Sequence, residues 1–109
     1  MADQENEALR QRLDAAKRVI RAGGTVNNDL VTVYSEDHDD QKVPLIFCLL
    51  QEYQIPVSFQ TRKWIRLRLK SVTVGANGHI SLQYMSVNHG KCAKGIWSCL
   101  EALIHAVRS

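Results

Sequence analysis

Leu9, Leu13, Ala16 and Ile20 recur at three- and four-residue spacing among charged neighbours, the period of an amphipathic helix with one buried stripe. The spacing predicts a helix over residues 3–22. Asp3 suits its cap, Glu5 and Glu7 its positive first turn, and Arg18 and Arg21 its last turn. Gly23-Gly24 stops it. Val26-Asn27-Asn28-Asp29 reads as a turn and residues 30–34 as a short strand. Pro44 takes the first position of a helix over 45–53 that is apolar nearly all round and therefore buried. A buried strand is the rival there, because periodicity does not separate the two in so short a run. Ile55-Pro56 ends the element.

The rest of the chain is organised around residues 56–87. Five of the fourteen bases fall between Arg62 and Lys70: Arg62, Lys63, Arg66, Arg68 and Lys70. As a strand, this stretch puts Ile65, Leu67 and Leu69 on one side and Arg66, Arg68 and Lys70 on the other. Arg, Leu and Lys favour helix, however, and the apolar parity moves from 65, 67 and 69 to 72 and 74, so a continuous strand needs a bulge. As a helix over 59–70, Ser58 caps it, Arg62, Arg66 and Lys70 align with Lys63 beside them, and Ile65 and Leu69 turn inward. The helix is the preferred reading, and both gather the bases on one face. Gly75-Ala76-Asn77-Gly78 then joins two β-rich runs into a hairpin. A loop of two or four residues pairs Thr73 with Ile80 or Leu82 and sets Ile80, Leu82 and Tyr84 on one face. A last helix opens at Gly90, or at Gly95 at the latest. Its apolar face of Ile96, Trp97, Leu100, Leu103, Ile104 and Val107 closes the core.

At 109 residues, without repeats, this is one domain of the α+β class, ordered helix, strand, helix, helix, hairpin, helix. No apolar run approaches the ~20 residues of a membrane helix, and the acidic, polar start is not a signal peptide. Three cysteines without paired spacing suit a reducing, cytoplasmic setting. The charge is unevenly placed: residues 1–52 carry ten acids and six bases, whereas 53–100 carry seven bases and no acid.

This order of elements resembles the winged helix-turn-helix domain over about residues 5–87. The resemblance implies that the second helix of the pair reads DNA and that the hairpin loop is the wing. Arg62, Lys63, Arg66 and Lys70 then fall on the recognition helix, and Asn77 and His79 on the wing.

The basic cluster is the one constellation that points to a ligand, since Lys and Arg gain affinity by releasing counterions from phosphates. Nucleic acid is the expected partner, DNA before RNA, with Arg68 among the contacts and Trp64 either stacking on a base or serving the core. An acidic protein surface, gripped by a small inhibitor or adaptor, is the alternative. The charge split leaves a homodimer open. Glu36, Asp37, His38, Asp39 and Asp40 have the ligand types for a hard cation but lack the glycine and spacing of a calcium loop, so they read as a solvated loop. His89, Cys92, Cys99 and His105 invite a zinc reading, yet two cysteines seven apart on one helix stand ~10 Å from each other by helical rise, too far to share a metal. Cys48 reads as a small apolar residue of the buried helix. No phosphate loop or catalytic set is present in the sequence pattern, so a non-enzymatic binding protein without metal or cofactor is expected.

Overall fold

The computed structural model describes residues 2–34, 41–85 and 94–109. The acidic loop at 35–40 lies outside the described residues, as do Val87, His89, Gly90, Cys92 and the side chain of Asp3, read above as a cap. Helix α1 (Ala2–Ala22) buries Leu13, Ala16 and Ile20 and half-buries Leu9. It ends at Gly23, whose φ of +83° is the left-handed stop that only glycine adopts freely.

Gly24–Asn27 is a strand, β1, and not the start of a turn. Its burial alternates, with Val26 inward, but two glycine- and asparagine-rich ends mask a strand this short. A second hairpin follows: β2 (Leu30–Val33) pairs antiparallel with β3 (Gln41–Pro44). Pro44 closes β3 and occupies the N-cap of α2 (Leu45–Glu52), one position before the expected one. Helix α2 buries Leu45, Ile46, Leu49 and Leu50, which decides the strand-or-helix question for that run.

The central stretch is a helix and then a strand. Helix α3 (Phe59–Leu67) starts at Ser58, whose Oγ accepts the Thr61 N–H at 3.2 Å. Strand β4 (Leu69–Val74) then begins, so Lys70 lies in a strand rather than on the helix. Leu69 pairs with Tyr84 and Ser71 with Gln83 of β5 (Ile80–Tyr84), which makes Lys70 the extra residue of a bulge. That bulge absorbs the parity shift, since Leu69, Val72 and Val74 are all buried. Val74 pairs with Ile80 and Thr73 with Ser81, a register one residue off the expected one. The cause is an odd loop. Gly78 N–H donates to Gly75 O at 2.9 Å and Gly75 N–H to His79 O at 2.8 Å, with Gly78 at φ +85°, the three-residue turn with a left-handed third position. Ile80, Leu82 and Tyr84 do share the inner face.

Strands β1, β4 and β5 form an antiparallel sheet with β4 central. Helix α4 (Lys94–Arg108) covers the core with Ile96, Leu100, Leu103, Ile104 and Val107, whereas Trp97 faces solvent. The domain is α+β, and no helix among the described residues is long and apolar enough to cross a membrane.

Candidate functional site

Successive residues of an α-helix advance by 100°, so burying Thr61 and Ile65 fixes what α3 shows to solvent. The outermost row is Phe59, Lys63 and Leu67 at four-residue spacing, with Phe59 81% and Leu67 58% exposed. Arg62 and Arg66 flank this row on one side, both exposed. On the other side run Gln60 and Trp64, ending at Arg68, the C-cap residue. Trp64 is half-buried against the core, and the Arg68 guanidinium stands 4.7 Å from its ring centroid, a cation–π contact. An open groove of about 500 Å³ runs between the two rows, lined by Phe59, Gln60, Lys63, Trp64, Leu67 and Arg68.

Lys70, exposed on its bulge, joins Arg66 around a second depression of about 470 Å³ bounded by Asp29, Leu30 and Met85. Leu30 and Met85 are 54% and 64% exposed there. Arg62, Lys63, Arg66, Arg68 and Lys70 therefore all border the solvent side of α3 and its join to β4, although only the first three sit within the helix. Arg62, Arg66 and Lys70 stand on one flank and Arg68 on the other. Asn77 and His79 do not join them. They stand exposed at the hairpin tip, where Asn77 Oδ1 accepts the His79 N–H at 3.0 Å. The tip is tied down by Arg108, which donates to Gly75 O at 2.9 Å and Ile20 O at 3.0 Å. Six strand residues at ~3.3 Å each put this end roughly 20 Å from Lys70.

Asn28 holds the face in place. Its Oδ1 accepts the Ile46 N–H at 2.9 Å, an orphan donor of the first turn of α2. Its Nδ2 donates to Ile65 O and Leu69 O, both at 3.1 Å, at the other helix's C-terminal end. Leu45 N–H adds a bond to Asp29 O at 3.0 Å. Pro44 offers no side-chain cap, so α2 is capped by Asn28 and Asp29 from the far side of a hairpin.

The described acids that form ion pairs do so with α1. Glu52 binds Lys17 at 2.7 Å and Arg10 at 3.2 Å, Asp14 lies 3.7 Å from Lys17, and Asp29 lies 3.8 Å from Arg12. No ion pair among the described residues takes a base of α3.

Compared with protein-family models, curated proteins and solved structures, the chain matches none.

Of the remaining candidates, Cys99 is buried, its thiol donates to Ile96 O at 3.2 Å, and burial pushes it up to about 11. Burial also raises Cys48. Both are poor nucleophiles at neutral pH. His105 is exposed. Phe59, Leu30 and Met85 were not singled out by the sequence pattern, and Leu67 was read on the strand's apolar side. A helical projection of 59–67 does carry a signal, since it drops Leu67 beside Lys63. Leu30 and Met85 reach the same face only through tertiary pairing.

Proposed function

We propose that this chain is a small non-enzymatic nucleic-acid-binding regulator that contacts its ligand with α3 and the start of β4. The observation that supports this best is the concentration of Arg62, Lys63, Arg66, Arg68 and Lys70 on one surface, while the described ion-paired acids are engaged by α1. Such a surface attracts a polyphosphate strand and gains affinity from the counterions it displaces. The order of elements, with an α2–α3 pair followed by a hairpin, keeps the winged helix-turn-helix resemblance as the frame of the proposal. In that frame α3 is the reading helix, and the tethered tip with Asn77 and His79 contributes little. The chemistry is electrostatic and contact-based, with no cofactor.

The test is the affinity for random-sequence nucleic acid across a salt series. With three to five phosphates neutralised, affinity falls by about 20-fold to several hundredfold between 50 and 200 mM salt. The double variant Arg62→Ala/Arg66→Ala lowers both the affinity and the slope. Undetectable binding to DNA and RNA at low salt removes the proposal. The exposed Phe59 and Leu67 favour a second reading, a small adaptor that grips an acidic protein surface. A stoichiometric protein partner retained after nuclease treatment selects it.

A further inference from the structure

The basic face is also apolar at its most prominent positions. Phe59 and Leu67 stand in the outermost row of α3 with Lys63 between them. A duplex meets such a helix with phosphates and, in the major groove, with polar base edges relieved only by the thymine methyl. Its π faces are stacked out of reach. Unpaired bases present those faces, and aromatic side chains beside a cationic track are what stacks on them. In the next row Trp64 already carries Arg68 on its ring, and the groove between the rows opens directly onto Phe59. The hairpin tip adds a second observation. Arg108 fastens it to the end of α1, so it does not stand beside α3 to hold the phosphates of an opposite strand.

Resting on the nucleic-acid reading above but not on its winged-helix frame, in which α3 reads a duplex, we infer that the α3 face takes single-stranded DNA. One unpaired base stacks on Phe59 within the groove, and the strand's phosphates run along Arg62, Arg66 and Lys70. A thymine fits this groove through its methyl group, which meets Leu67. Among the described residues lining the groove, Gln60 carries the only side-chain acceptor for a 2′-hydroxyl proton, so a ribose gains less there than the thymine methyl does against Leu67.

The experiment is fluorescence anisotropy at low salt with three labelled ligands: oligothymidine, the same length of A·T duplex, and oligouridine. Each is titrated with the native chain and with Phe59→Ala, a substitution at a site exposed enough to leave folding intact, checked by a thermal melt. Oligothymidine is expected to bind about tenfold tighter than the duplex. Phe59→Ala is expected to cost about tenfold for oligothymidine, one stacked base, and less than twofold for the duplex. A duplex bound as tightly as the single strand, or oligothymidine affinity unchanged in Phe59→Ala, overturns the inference and leaves the nucleic-acid reading standing. Oligouridine bound more tightly than oligothymidine overturns the assignment to DNA. No binding to any of the three removes both.

Discussion

Asn28 is a side chain whose two ends see opposite electrostatic environments. Its carbonyl oxygen faces the N-terminal turn of α2, where N–H dipoles converge, and its amide nitrogen faces the carbonyls at the end of α3 and the start of β4. With 9% of its surface exposed, no water replaces these bonds cheaply. Asn28→Ala strands one donor and two acceptors, and it is expected to cost about 3 kcal/mol or more of a total that for such domains is ~5–15. Chemical denaturation checks this. Asn28→Asp is the sharper probe. A carboxylate keeps the bond from Ile46 but turns an anion toward two carbonyl oxygens, so its folded pKa is raised above the unfolded value. That variant's added stability is present below the unfolded carboxyl pKa and lost as pH rises through the folded one. Its deficit against the native chain should therefore widen from pH 4 to pH 7, and a constant deficit would show that the two carbonyls do not sense the charge.

The elements divide by the range of the forces that set them. Helices α1, α3 and α4 were legible because caps and period-3.6 stripes are local, as Ser58 and the Leu13–Ala16–Ile20 stripe illustrate. Strands β1 and β3 were not, since four residues such as Gly24-Thr25-Val26-Asn27 carry no period and extend only because β4 accepts them, Thr25 against Thr73. At residues 65–74 the helix propensity and the bulge implied by the parity shift were both correct, each over its own half. Neither signal marked the join, which Asn28 fixes from 37 residues away through Ile65 O. The gathering of the bases survived that ambiguity because both readings put them on one face. The separation of Asn77 and His79 from them was invisible, because it depends on where β4 carries the tip. A helical α3 has its own test. Arg66 is an exposed interior position, so Arg66→Thr should lower stability by a few tenths of a kcal/mol, as expected of a poorer helix former, when measured by denaturant melts without ligand. A more stable variant would contradict the helix.

At the scale of the molecule, the bases serve two jobs at opposite ends. Away from α3, Arg21 of α1 donates to Val107 O of α4 at 3.0 Å, while Arg108 of α4 returns bonds to Ile20 O of α1. Each helix thus places a cation on the other's negative C-terminal end, the favourable sense of the helix dipole. Arg108 then reaches Gly75 O and draws the hairpin tip into the same junction. Those charges face carbonyls and Arg10, Arg12 and Lys17 face carboxylates, whereas Arg62, Lys63 and Arg66 of α3 are exposed and in no ion pair among the described residues. If this division holds, stability and ligand affinity separate cleanly. Arg108→Ala removes a planar fork from two carbonyl oxygens and should cost about 1–3 kcal/mol, while Arg108→Lys, a single point donor, recovers only part. Because the tip carries no share of the binding face, both variants should bind a nucleic-acid strand within about twofold of the native chain at a temperature where all are folded. A larger loss of affinity in the folded Arg108→Ala variant would mean that the held position of Asn77 and His79 matters to the ligand, and that the binding surface extends beyond α3 to the far end of β4.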